Sequence, residues 1–191
     1  GWSSITPLTW VGSLIDGDNN IIDGLTQPLF VTINEGVTVK NLHIKNADIT
    51  LSGTDKYGIL ANTNRGSIQN CKVEASRIRA ANGNAAGFVG TNHNAASISG
   101  CYLSAEVSGL EAAGFAVSVN GTITNCIAAN SKISALSGRA AGFVLHNDWG
   151  GNISNCYANA EVYGNDAAGF AAVSYTSINN CYALISVTAA Q

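Results

Sequence analysis

The sequence predicts an all-β chain wound as a right-handed parallel β-helix, a solenoid of about six coils with a 25–30-residue repeat. Three observations carry this. The five cysteines, Cys71, Cys101, Cys126, Cys156 and Cys181, are spaced 30, 25, 30 and 25 residues apart, and self-similarity at such a period marks a repeat architecture. Between them the apolar residues alternate in short runs and never fall at helical spacing, so each repeat is made of strands. The residues preceding Ile49, Ile78, Val107, Ile133, Val162 and Val187 are Asp48, Arg77, Glu106, Lys132, Glu161 and Ser186. Their charge changes sign from coil to coil, which suits coils stacked about 4.8 Å apart, because opposite charges facing across such a stack attract and like charges repel.

In chain order, residues 1–36 form an irregular first coil. IDGDNNIIDG (15–24) holds two apolar pulses separated by a turn, Trp2 and Trp10 are placed on the open N-terminal end, and QPLFVTI (27–33) reads as a strand with Pro28 at its start. Residues 37–65 are the first recognisable coil, in which Leu42 takes the cysteine slot. The clear coils are 66–96, 97–120, 121–150 and 151–177, and 178–191 is a partial last one. The slot before the cysteine holds Asn41, Asn70, Gly100, Asn125, Asn155 and Asn180. Asn and Gly share a tolerance of positive φ, so this slot is expected to bend the chain between two sheets. A second anchor, Ala-Ala-Gly-Phe, recurs at Phe88, Phe115, Phe143 and Phe170, with Tyr57-Gly58-Ile59 as its weaker first copy. No Pro-rich linker or charge run divides the 191 residues, so one domain is expected.

Charged residues make up only 11% of the chain and the net charge is −3, which leaves no basic footprint for nucleic acid. No apolar run approaches the roughly 18 residues of a membrane span, so no membrane insertion is expected. Without an initial Met or a charged-then-apolar leader, the chain reads as a mature fragment or an excised module.

GNISNCYANAEVYGNDAAGF (151–170) and its copies resemble the GLUG motif, whose usual form is a Gly-x-Ile-x-Asn-Cys-Tyr strand followed by Gly-Gly-Leu-Val-Gly. The second half is altered here to Ala-Ala-Gly-Phe, and only Gly90 keeps the last Gly. WVGSLIDGDNNIIDGL (10–25) and PLF…GVTVKNLHI (28–44) resemble the lead-in to such repeats, so the likeness covers nearly the whole chain. The resemblance implies a right-handed β-helix displayed outside the cell, as in secreted or cell-surface, adhesin-like bacterial proteins and the non-catalytic part of immunoglobulin A1 proteases. It implies no catalytic residue in this region.

The cysteines are odd in number and share one inward slot, so they read as a ladder of buried free thiols. They do not converge as metal ligands do. No His-Glu-x-x-His occurs, which removes the zinc peptidase reading. Asp16, Asp18, Asn20 and Asp23 resemble the start of a calcium loop, but Ile21 and Gln27 stand where Gly and Glu are needed, and turn chemistry explains them. His43 reads as an outward ladder residue. Tyr102, Tyr157 and Tyr182, with Lys72 and Ile127, form an outward stripe of cross-coil stacking. Arg65, Arg79 and Arg139 read as turn-side residues without partnered carboxylates.

What interrupts the repeat is the pair of long loops TNHNAA (91–96) and HNDWGG (146–151), expected on one edge of the solenoid. Asn92, His93, His146, Asn147, Asp148 and Trp149 are the candidate contact residues, and an exposed Trp among amides suits a sugar or protein surface. No cofactor, metal or catalytic group is expected. The reading is a non-catalytic structural or adhesive module, extracellular or at the cell surface. One alternative is an end-to-end filament or assembly joined through the open helix ends, by self-association or with adjoining domains. Another is a carbohydrate-active β-helix, for which Asp148 is the best lone acid.

Overall fold

A computed structural model describes residues 8–9 and 12–189 of the chain. Trp2 and Trp10, expected to pack on the N-terminal end, lie outside the described residues, as do Ala190 and Gln191. The described residues are all β, with no helix, and therefore none long and apolar enough to cross a membrane. All strand pairs are parallel, and the coils stack as a solenoid of about six turns with four sheets running along it.

Each coil visits the sheets in a fixed order, illustrated by one repeat. Ser67–Gln69 lies in what we call the Ile sheet, Lys72–Ala80 in the long sheet, Asn84–Ala86 in the Ala sheet, and Val89–Asn92 in the Phe sheet. The first 36 residues already follow this path: Leu14–Asp16 joins the Ile sheet, Ile21–Asp23 the long sheet and Phe30–Ile33 the Phe sheet, while the Ala sheet begins only at Lys56–Gly58.

Two corners set the path. At the first, Asn41, Asn70, Gly100, Asn125, Asn155 and Asn180 all have φ between 51° and 64°. The chain bends there, and the Ile before the corner and the Cys after it both face inward, as with Ile123 and Cys126, each fully buried. At the second corner the phenylalanines stack: Phe88, Phe115, Phe143 and Phe170 have successive ring centroids 4.6, 4.8 and 4.7 Å apart, with nearly parallel planes. Offset stacking of this kind adds to the burial of the rings themselves. The glycine before Phe88, Phe115 and Phe143 is required by close approach, since a Cβ there would run into the carbonyl oxygen of the equivalent glycine in the next coil, as one on Gly114 would into that of Gly142.

The register shifts one expectation. Gly58 pairs with Ala86 and Ala61 with Val89, so Ile59-Leu60, and not Gly58-Ile59, takes the Gly-Phe slot. Leu60 is fully buried there, beneath Phe88. Of the two alanines, Ala85 faces the main core, while Ala86, Ala113 and Ala141 form a second small cluster with Val117 and Leu145 of the Phe sheet. Val117 and Leu145 occupy the slot of Gly90, where a Cβ would strike the backbone of Lys56. The altered end of the motif thus follows the filling of this second cluster.

The 30-residue coils exceed the 25-residue ones at three places. One residue is a bulge in the long sheet, between Val73 and Ser76 where the neighbour runs Leu103 to Ala105. Two lie between the long and Ala sheets, and two in the loop from the Phe sheet to the Ile sheet. The bulge residues Asn46, Ala75 and Asn130 all have positive φ, 49° to 52°. Ser76 and Ser131 follow two of these bulges; each accepts from a backbone N–H of the preceding coil, Ala47 or Ala105, and donates to a carbonyl two residues back.

Ala75 is exposed and lacks the amide that lets Asn46 and Asn130 hold a left-handed conformation, which costs an ordinary residue about 1 kcal/mol. Ala75→Asn should therefore raise the urea midpoint, by a stabilisation of about 0.5–1 kcal/mol. Asn125→Ala should lower it by about 1 kcal/mol, and Asn125→Gly should leave it nearly unchanged, as Gly100 serves the same corner. Equilibrium denaturation followed by circular dichroism reads all three.

Candidate functional site

Thr91, Ser118 and His146 are register partners, and so are Asn92, Val119 and Asn147. The long loops are consequently 93–96 and 148–151, with the short turn 120–121 between them. His146 is not a loop residue but lies in the strand Val144–Asn147. Asn92 and Asn147 are fully buried, because their side chains alternate inward at the strand end. They belong to an interior asparagine ladder: Asn64 Nδ2 donates to Asn92 Oδ1 at 2.9 Å, Asn92 to the Thr122 carbonyl at 3.2 Å, and Asn147 to Ser174 Oγ at 3.0 Å. Asn147 Oδ1 has no partner among the described residues. The neighbouring rung is Val119, which has no side-chain donor to offer. Of the six sequence-derived contact residues, His93, Asp148 and Trp149 are therefore the ones at the loop surface.

Trp149 is 75% exposed and stacks on Tyr175 of the next coil, 53% exposed, with ring centroids 5.4 Å apart and planes 17° from parallel. The indole leans on another exposed ring rather than folding into the solenoid. Its backbone is fixed. Asp148 N donates to the Val119 carbonyl, Gly151 N closes the turn onto the Asp148 carbonyl, and Tyr175 N donates to the Asn147 carbonyl. Thr176 Oγ1 reaches the Asp148 and Gly151 carbonyls at 3.3 and 2.7 Å, clamping both ends of the Trp149 turn. Tyr175 was not singled out by sequence reasoning. The signal for it was the position just after the Phe-sheet strand of the last complete coil, one rung beyond the Trp149 loop.

The charge ladder of the long sheet is in register as expected: Asp48, Arg77, Glu106, Lys132 and Glu161 occupy successive rungs. Arg77 Nε bonds Glu106 at 2.7 Å, Lys132 sits 4.0 Å from Glu161, and Asp48 is taken diagonally by Arg79 at 3.0 Å. Arg79 is thus a partnered residue, contrary to the turn-side expectation, and so is Arg139, 3.8 Å from Glu111. Arg79 follows from the pleat, which returns a side chain two residues on to the same outward face, and Arg139 from the register, which sets it beside Glu111 of the preceding coil.

Arg139 belongs to a second row, Lys56, Asn84, Glu111, Arg139 and Asp166, on the Ala sheet. From Asn84 onward it is legible as the residue before each Ala-Ala-Gly-Phe. The row faces the Phe sheet across a cleft: Lys56 Nζ donates to Ser118 Oγ at 2.6 Å and His146 Nε2 lies 3.9 Å from Glu111, while within the row Asn84 donates to Glu111 at 3.0 Å. Ser118, His146 and Glu111 are the residue types of a hydrolase triad, but they are not linked as one. The hydroxyl is held by an ammonium donor, no Ser118–His146 hydrogen bond exists among the described residues, and 3.9 Å exceeds hydrogen-bond length.

The cysteines occupy one rung each, and all five are free thiols. Burial pushes Cys126 well above its ordinary pKa, and the adjacent thiols of Cys101 and Cys156 add to the shift. His43 sits in its outward rung and contacts Glu74. In the calcium-like stretch, Asp16 accepts from Asp18 N and Asn41 Nδ2, both at 3.0 Å, and pairs with Lys40 at 2.9 Å, while Asp23 accepts from Asn46. These acids serve separate turns. Among the described residues no group of three or more His, Cys, Asp or Glu is arranged to hold a metal ion.

Two outcomes check this account. Lys40, the Asp18 amide and the Asn41 amide hold the Asp16 carboxyl down at about 2, and Arg77 holds Glu106 below the usual range. Carboxyls depressed by folding contribute stability that is full above their unfolded values, about 4, and is lost as pH falls through the folded ones. Carbon-13 NMR titration should place Asp16 near pH 2, and Lys40→Ala should move it upward. For the thiols, a disulfide-exchange reagent at pH 8 should modify Cys181 alone in the folded chain, since Cys71, Cys101, Cys126 and Cys156 are no more than 2% exposed; Cys181→Ser should abolish the native-state reaction. Compared with known proteins, the chain matches no family model, no curated protein and no solved structure.

Proposed function

We propose that this chain is a non-catalytic structural and adhesive module of a secreted or cell-surface bacterial protein, making contact with a protein or glycan. The observation that carries this reading is the Trp149–Tyr175 pair, two exposed aromatic rings held on clamped backbone at one edge of a rigid stack. Exposed aromatics on an ordered frame are the residues from which contact hot spots are made. Most of the ionisable groups in the two charge rows are matched to neighbouring coils, which suits a self-supporting spacer. The likeness to GLUG-motif arrays points to display outside the cell.

The second reading is an end-to-end assembly, and the last described coil presents the face it would use. Phe170, Ile178, Cys181 and Ile185 are only partly buried, and Tyr182 and Leu184 are each 67% exposed. Another layer of parallel strand laid on this face would bury them. In the assembly reading that layer is a second copy.

Adhesion tests the first reading. Beads coated with residues 1–191 should adhere to cultured cells or extracellular matrix, and Trp149→Ala with Tyr175→Ala should reduce adhesion to the level of uncoated beads. Lys132→Ala should leave it unchanged. Equal adhesion by the double variant, or release of reducing ends from polysaccharides by the wild-type chain, would overturn the proposal.

A further inference from the structure

We infer that the edge carrying Trp149 and Tyr175 is a binding site for a neutral saccharide; this rests on the contact reading above and names its ligand. Three features of the edge select that chemistry. The first is the platform. Two rings 5.4 Å apart and nearly parallel present aromatic surface to solvent, and the C–H face of a sugar ring is apolar enough to cover it. The rim of the same sugar ring carries hydroxyls that need hydrogen-bond partners.

The second feature supplies those partners. Asn94 lies across from the Trp149 turn and Asp148 and Asn152 flank it in the chain; their side chains form no hydrogen bond among the described residues, although the backbone at the two ends of the turn, at Asp148 and Gly151, is engaged. Asn94 is brought close across the short turn 120–121: a Cβ on Gly150 would lie 3.2 Å from the Asn120 carbonyl oxygen and 3.9 Å from Asn94 Oδ1. Amides and one carboxylate offer both donors and acceptors, as a polyol requires.

The third feature excludes the other ligands. A protein interface of ordinary size spreads over about 20–30 residues a side around its hot spot, yet among the described residues Trp149 and Tyr175 are the only large exposed apolar residues in these edge loops. Acidic glycans need cations, and the only Lys or Arg in the loops is Arg65, three coils from Trp149. A clamped turn also loses little conformational freedom on binding, which lowers the cost of engaging a small ligand.

The test is a glycan array carrying neutral, sialylated and sulfated glycans, probed with the whole chain and with Trp149→Ala, Trp149→Tyr and Asn94→Ala. Trp149 is largely exposed, so these variants should keep the wild-type circular dichroism spectrum. Retention of neutral glycans is expected, reduced at least tenfold by Trp149→Ala, partly kept by Trp149→Tyr, and reduced several-fold by Asn94→Ala. Retention of no glycan, retention confined to sialylated or sulfated ones, or indifference to Trp149→Ala overturns the assignment. If the array is empty while bead adhesion still depends on Trp149, the saccharide is wrong and the contact reading stands. If adhesion is indifferent as well, both fall.

Discussion

Everything in this fold depends on each coil coming back into register with the one before it. Hydrogen bonds between parallel strands, the Phe stack, the thiol ladder and the charge row all require equivalent residues to meet across the coil spacing. The corners enforce this. A residue at positive φ fixes the bend between the Ile and long sheets in six successive coils. At the other corner a glycine lies against the carbonyl of the next coil, so a side chain there would hold the coils apart. Side-chain size elsewhere can vary because the corners do not. The apolar slots accept Val, Ile, Leu, Ala or Cys, and beyond the stacked rings the buried aromatics among the described residues are Phe30 and Tyr57.

Register could be kept only if the five extra residues of the long coils were absorbed without moving a rung. They are divided among a bulge, the connection into the Ala sheet and an outer loop, and each insertion is closed locally. The bulge adds one residue at positive φ, and the buried Ser76 and Ser131 take hydrogen bonds that the interrupted ladder would otherwise leave open. An unsatisfied amide in that position would cost about 1–3 kcal/mol. The outer loop turns through a positive-φ residue, Ala95 in one copy and Gly150 in the other. The sequence alternation of 30 and 25 is thus the sum of three separate accommodations on three sides of the solenoid.

Much of this is legible in the sequence alone, because a repeat supplies its own alignment. The Asn corner, the cysteine rung and the alternating Asp48–Glu161 row needed only the comparison of one coil with the next, and all fall in register. Misreadings came where the comparison was anchored to residue type. Gly58 attracted the Gly-Phe alignment because it is glycine, although Leu60 fills the Phe rung. Asn92 and Asn147 read as surface amides because Asn usually sits in turns. Counting four residues from the Phe rung, to Asn64, Asn92 and Asn147, would have shown a ladder, and polar ladders belong inside when they bond one another. Arg139 was set apart because its partner, Glu111, lies one coil away and never near it in sequence. Tyr175 escaped for a different reason: its importance comes from stacking on a ring of another coil, which no local pattern reveals.

These errors bear on where function lies. A residue that repeats in register is held by its own copies above and below, and its chemistry is spent on them. Asn92, Lys56 and Ser118 are polar, but each is already bonded across the stack. Trp149 has no counterpart: the same slot holds Asn94 in the other long coil, and the intervening coil is too short to reach it. It is also the place where the clamping hydrogen bonds of Thr176 serve a backbone segment whose side chains stay outside. Order of the backbone together with exposure of the rings is costly unless something stacks on them, since burying such rings in the fold would have been favourable. That combination, present at one edge and built from residues that break the repeat, is the physical argument for contact at Trp149 and Tyr175.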